Sequence, residues 1–133
     1  MGVFASLSEA QEFFKADRFA TCNGCRIDSL TDEEAVCSMD IDREKHCNAY
    51  GGVMGGVMFM LGDFAFAVAS NHAHRLTVAM NVNISYMNAP KGDRLTARAK
   101  CLKSGRTSCV YDVDIYDNEG VYVARFSATG FKK

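Results

Sequence analysis

Residues 55–70 constrain this chain more than any other stretch. Val57, Met58, Phe59, Met60, Leu61, Phe64, Ala65, Phe66, Ala67 and Val68 are apolar, and wound into a helix they leave no polar face. A helix apolar all round must be enclosed by other structure, so a central helix wrapped by the remainder of the chain is predicted. At 133 residues the chain suits one domain, residues 1–133, large enough to bury such a core.

The flanking sequence says what does the wrapping. Ser6-Leu7-Ser8-Glu9 reads as a capping box, and Leu7, Ala10, Phe13 and Phe14 follow at helical spacing. A short amphipathic helix is therefore expected, ending at Asp17-Arg18. Strands are predicted near 22–28 and 35–41, with a polar turn at 29–34 and a charged, then glycine-rich loop over 42–53. After Asn71-His72-Ala73-His74-Arg75 the pattern turns to long strands at 76–87, 95–101, 109–116 and 121–131. Their turns are Pro90-Lys91-Gly92-Asp93, Ser104-Gly105-Arg106 and Asp117-Asn118-Glu119-Gly120. Alternating apolar and polar residues in the last strands imply one covered and one wet face, as in antiparallel sheets. The expected class is α+β: one curved antiparallel sheet around one long helix, with a short N-terminal helix.

The only charge in the apolar helix is Asp63. An ionised carboxylate among apolar groups is costly unless compensated, and perturbed acids of this kind cluster at working sites. The plainer alternative is that Asp63 sits at an edge and pairs with Asn48 or Arg75. Gly55-Gly56 opens the helix, where unpaired backbone N–H groups and the positive end of the dipole coincide. Glycine lets a substrate approach those donors, which can stabilise the oxyanion developing on a carbonyl, although a tight turn would also use glycine. Gly55 and Asp63 are eight residues apart, or about 12 Å along a helix rising 1.5 Å per residue. Both must come within about 3 Å of one carbonyl to act on it together. One helix cannot supply both, so if both are catalytic, two chains must meet in an isologous dimer.

Composition excludes several other classes. A formal charge of −1 gives no basic field for nucleic acid and no polybasic stretch for a membrane surface. The run from Val57 to Leu61 is too short to span a bilayer, and Met1–Leu7 lacks the charged leader and apolar core of a secretory signal. The six cysteines are accordingly read as reduced thiols, and a cytoplasmic location is expected. Cys22-Asn23-Gly24-Cys25 has no second close pair to complete a zinc site, and His72 and His74 read as a wet loop, so no metal is expected.

The segment Asn48-Ala49-Tyr50-Gly51-Gly52-Val53-Met54-Gly55-Gly56, continuing to Leu61-Gly62-Asp63-Phe64-Ala65-Phe66-Ala67, resembles the signature of hotdog-fold acyl-CoA thioesterases of the phenylacetate-degradation (PaaI-like) subgroup. Asn71, Ile84-Ser85-Tyr86-Met87, Pro90, Gly92–Ala97, Lys103–Arg106 and Tyr111-Asp112-Val113 extend the match. The resemblance implies a helix wrapped by a five- or six-stranded sheet, and homodimers that pair into homotetramers. It implies Asp63 as nucleophile or general base, the Gly55 amide as oxyanion donor, and Asn48 as the residue positioning substrate or water. Met54, Gly56, Asn71, Lys103 and Arg106 are assigned to substrate binding, the last two toward the phosphates of coenzyme A. Lys103 and Arg106 read equally well as solvated turn charges. No cofactor is expected, since coenzyme A is part of the substrate. Two positions depart from the pattern: Met54 stands where the family has histidine, and Gly62, expected to add flexibility beside Asp63, where it usually has alanine.

The expected activity is hydrolysis of an aromatic or medium-chain acyl-CoA. The alternative is a non-catalytic acyl-CoA-binding domain that lost its rate through Met54. A dehydratase ranks last, because no histidine occupies a matching position near Gly55.

Overall fold

The computed structural model describes residues 2–133. Its elements run α1 (Leu7–Phe14), α2 (Arg18–Cys22), β1 (Arg26–Leu30), β2 (Glu34–Asp40), α3 (Gly55–Ala73), β3 (Thr77–Tyr86), β4 (Arg94–Ser104), β5 (Ser108–Asp117) and β6 (Tyr122–Lys132). The strands form one antiparallel sheet in the order β1-β2-β4-β5-β6-β3, and α3 packs across it. This is the predicted hotdog architecture. Among the described residues no helix is long and apolar enough to cross a membrane.

Side-chain size sets how α3 sits. The sheet offers it small residues, Ala35 and Cys37 on β2, Ala97 and Ala99 on β4, Ala124 and Ala128 on β6, all buried. Short side chains let the helix approach closely; Leu61 and Val68 are fully buried, Phe66 packs edge-on to Tyr111 of β5, and Phe64 packs edge-on to Phe14 of α1. Burying side chains of this kind contributes about 1.5–3 kcal/mol each. Gly62 belongs to the same contact: a Cβ there would lie 2.8 Å from the Phe126 ring and 3.0 Å from its Cβ. The root of a side chain cannot swing away, so Gly62 is required by the packing of α3 on β6.

The N-terminal region departs from expectation in two places. Ser6 caps α1 as predicted, its Oγ accepting from Glu9 N–H at 3.2 Å while Glu9 Oε2 accepts from Ala5 N–H. Residues 18–22, however, form a second short helix instead of leading into a strand. The Asp17 carbonyl accepts both the N–H and the Oγ1–H of Thr21, and Gly24, at φ +95°, turns the chain out of the helix. The first strand therefore starts at Arg26. At the other end, α3 runs on through Asn71 and His72, the second of which was expected in a wet loop. His72 is buried: its Nδ1 accepts from Phe4 N–H, its Nε2 faces Asp32 Oδ1 at 3.1 Å, and its carbonyl takes Val3 N–H at 2.7 Å. The arm preceding α1 is thus latched to the end of the central helix.

Asp117, at the β5–β6 turn, organises the opposite end of the sheet. Its Oδ2 accepts from Lys91 and Gly92 N–H at 2.7 and 2.9 Å, and its Oδ1 from Glu119 and Val121 N–H, both at 2.9 Å. Burial alone would raise its pKa, but these four donors outweigh it and hold the carboxyl at about 2, below the ordinary 3.8. The ionised form is therefore favoured by folding. Its contribution is fully present above the unfolded pKa and is lost as pH falls from about 4 toward 2. Asp117→Asn, which cannot accept at its amide nitrogen, is expected to lose about 1.5–3 kcal/mol at neutral pH in urea unfolding. The gap from the parent protein should close as the pH is taken down through this window.

Candidate active site

Asp63 lies on the stripe Gly56, Phe59, Asp63, the three positions where the middle of α3 is open to solvent. The helix is thus not enclosed on every side. The expectation fails here because the chain itself leaves this stripe uncovered. Phe59, 38% exposed, packs edge-on to Phe126 with ring centroids 5.3 Å apart. Among the described residues Asp63 makes no ion pair and no side-chain hydrogen bond. Its two suggested partners are engaged elsewhere, Arg75 stacking on Phe4 and Phe13 and Asn48 holding its own loop. The carboxylate opens into a cavity of about 310 Å³, walled by Phe19 and Ala20 of α2, Asp17, and Gly56, Phe59, Met60 and Phe64 of α3. Desolvation by these walls, and secondly the charge of Asp17, push the Asp63 pKa above its ordinary value. A carboxylate of raised basicity, unpaired and reachable, suits proton abstraction or nucleophilic attack.

The start of α3 forms a separate place. Val57 N–H bonds back to Met54 O at 2.9 Å and no side chain caps the helix, so among the described residues the N–H groups of Gly55 and Gly56 have no hydrogen-bond partner. Gly55 borders a second cavity, of about 460 Å³, with Val53, Met58 and residues 86–90. Tyr86 covers it: its hydroxyl donates to the Gly55 carbonyl at 3.0 Å, and a Cβ on Gly55 would meet the ring at 2.9 Å. Around a Cβ on Gly56 there is open space to 4 Å. Gly55 and Asp63 thus border different cavities, as the helical spacing required.

The loop before α3 fixes this start. Asn48 Oδ1 accepts from Tyr50 N–H at 3.0 Å and Gly52 N–H at 3.1 Å, so the side-chain oxygen is spent on the turn and Nδ2 is left over. Met54, 56% exposed, donates its N–H to the His46 carbonyl. His46 does not replace the missing histidine. It is buried in the loop, its Nδ1 accepting from Asp42 N–H at 2.9 Å and its Nε2 facing Asn23 Oδ1, and burial lowers its pKa.

The remaining assigned residues do not converge here. Asn71 is buried, donating to the carbonyls of Ala67 and Thr77 and accepting from Thr77 N–H, and so ties α3 to β3. Lys103 and Arg106 are exposed at the β4–β5 turn. Tyr86, bonded to Gly55, lies in register with Ala124, Ile115 and Ala97, and Lys103 is six positions further along β4, roughly 20 Å at 3.3 Å per residue, so within one chain this turn is remote from Gly55. Two residues at the cavities escaped the sequence reading. Tyr86 stood in a matched strand end but was given no role at the site, and Asp17 looked like the end of a helix. Among the described residues no cluster of His, Cys, Asp and Glu could hold a metal, and all six cysteines are free.

The thioesterase superfamily family model matches residues 50–124, which span the start of α3, Asp63 and strands β3 to β5. The chain belongs to the thioesterase superfamily. It is a thioester hydrolase of the hotdog, PaaI-like type. It is 31% identical over 118 residues to the acyl-coenzyme A thioesterase PaaI of Escherichia coli, covering 88% of this chain and 84% of that one. The solved structure of E. coli PaaI superposes with a TM-score of 0.87 at 28% identity over 96% of each chain. A thioesterase from Streptococcus pneumoniae solved with coenzyme A superposes with a TM-score of 0.81 at 29% identity, over 90% of this chain and 96% of that one.

If Asn48 Oδ1 holds the turn, Asn48→Ala leaves the Tyr50 and Gly52 N–H groups without an acceptor. Hydrogen exchange at these two amides is expected to quicken about five- to tenfold, as for loss of about 1 kcal/mol, while the β4–β6 core keeps its protection.

Proposed function

We propose that this thioesterase hydrolyses an aromatic or medium-chain acyl-CoA at a site shared by two copies of the chain. Asp63 of one copy acts on the thioester carbonyl, as nucleophile or by taking a proton from water. The Gly55 N–H of the other copy receives the oxyanion. The carbon–oxygen bond forms, the carbon–sulfur bond breaks, and coenzyme A leaves as the thiol with the acid as second product. Asn48, with Nδ2 unspent, is placed to orient water or substrate. The proposed chemistry needs only a carboxylate, backbone amides and water.

The observation that carries this reading is the open stripe of α3. An unpaired acid and an exposed phenylalanine on an otherwise buried helix leave a surface that needs a cover. Strand β3 supports the dimer: it is an edge strand of ten residues paired only to β6, with Met80 60% exposed, and such an edge is a template for another strand. Coenzyme A as the thiol product fits the E. coli relative named for acyl-coenzyme A, and the bound coenzyme A of the pneumococcal protein supports the same leaving group. Six free thiols fit a reducing compartment, the cytoplasm. Dimers would pair into tetramers, bringing turns such as Lys103–Arg106 toward a neighbouring copy's site.

Thiol release from phenylacetyl-, benzoyl-, hexanoyl- and palmitoyl-CoA tests this reading. Asp63→Asn is expected to lower kcat by about 10²–10⁴-fold with KM little changed. Because Asp63 must be ionised and its pKa is raised, wild-type kcat should fall with acid at a pH above the ordinary carboxylate range. Binding of acyl-CoA without turnover in the wild type would favour the binding-domain reading, to which Met54 in place of histidine points.

A further inference from the structure

Asp63 does not have its cavity to itself. Asp17 lines the same hollow, from the residue that begins α2. A residue there ordinarily spends its side chain on the helix N–H groups, but Asp17 makes no such bond. The backbone carbonyl does the local work instead, accepting from both groups of Thr21. The carboxylate is left facing a wall that is otherwise apolar: Phe19 and Ala20 from α2, Phe59, Met60 and Phe64 from α3.

No cation within the hollow offsets this charge among the described residues. Lys15 and Arg26 border the adjoining cavity, on the far side of Phe64. Lys15 is paired with Glu12 at 2.6 Å, and Arg26 with Asp28 and Asp40 at 3.7 and 3.4 Å. Arg18, next to Asp17, is exposed and does not line the hollow. Two carboxylates therefore share one partly desolvated space, and a third would be repelled by both.

Resting on the hydrolase reading above, we propose that Asp17 is a specificity-determining residue of this site, excluding acyl groups that end in a carboxylate and favouring those that are neutral or carry a hydrogen-bond donor. A hydroxyl or amino group reaching Asp17 donates a hydrogen bond to its carboxylate, whereas a carboxylate meets like charge at close range. The same placement makes Asp17 part of the electrostatic setting of Asp63, whose pKa is raised by burial and further by Asp17.

Succinyl-CoA and butyryl-CoA, equal in chain length and different in the terminal carboxylate, provide the test on the full-length protein, Asp17→Asn and Asp17→Glu. Asp17→Asn is expected to raise the succinyl-to-butyryl ratio of kcat/KM about tenfold or more, the scale of a relieved like-charge clash, and Asp17→Glu to return it toward the parent value. Carboxylate NMR titration of Asp63 in the same proteins, without substrate, should show its midpoint move to lower pH in Asp17→Asn alone. A merely structural role for Asp17 would move neither readout. An unchanged ratio with an unchanged Asp63 titration overturns the inference while the hydrolase reading stands on butyryl-CoA turnover. Absence of turnover on every acyl-CoA in the wild type overturns the hydrolase reading, and the specificity role with it.

Discussion

The seating of α3 on the sheet is the contact on which the rest of this protein depends. Small residues on β2, β4 and β6 create a trough under α3, Phe66 packs edge-on to Tyr111 of β5, and Phe64 packs edge-on to Phe14 of α1. Gly62 belongs to the same fit, because only a missing Cβ clears the Phe126 ring. Packed interiors of this density do not adjust by sliding, so the helix has one azimuth. That azimuth decides which residues stay outside: Gly56, Phe59 and Asp63. The catalytic carboxylate proposed here is thus positioned by Leu61, Ala65 and Val68, fully buried on the opposite side of its own helix.

A fixed helix also fixes the separation between its first turn and its acid. Asn48 and His46 shape the approach so that Gly55 begins the helix with its N–H unspent, and Tyr86 closes over its carbonyl. The acid, two turns on, opens into a different cavity from Gly55. Each chain then holds two half-sites that cannot serve one another. A two-fold arrangement would turn that incompatibility into two complete sites, and both the uncovered stripe and the free edge of β3 fit it.

Much of the fold was legible in the sequence because its signals are local. The apolar run announced the central helix, alternation marked β4, β5 and β6, and Ser6 with Glu9 announced α1. The N-terminal half of the site was less so. Helix α2 is too short to show periodicity, and it forms because the Asp17 carbonyl satisfies Thr21 twice and Gly24 can take a positive φ. Without α2 in view, Asp17 could not be placed beside Asp63. The apolar helix also misled: hydrophobicity on every side reads as enclosure, and a sequence does not say whether its own chain or another copy provides the cover. Asn71 shows the converse, a polar residue in a matched position whose hydrogen bonds are all spent on joining α3 to β3.

The shared site can be tested by complementation. Asp63→Asn removes the acid, and Gly55→Pro removes the oxyanion donor at a first-turn position where proline's backbone suits the helix, the end of the Tyr86 ring shifting to admit its added carbons. Each variant alone should be nearly inactive. Unfolded together, refolded as a mixture and shown by native mass spectrometry to contain mixed dimers, they should regain about a quarter of wild-type thioesterase activity, since random pairing makes half the dimers mixed and each mixed dimer holds one intact site. Mixed dimers that stay as inactive as their parents would contradict a site built from two chains.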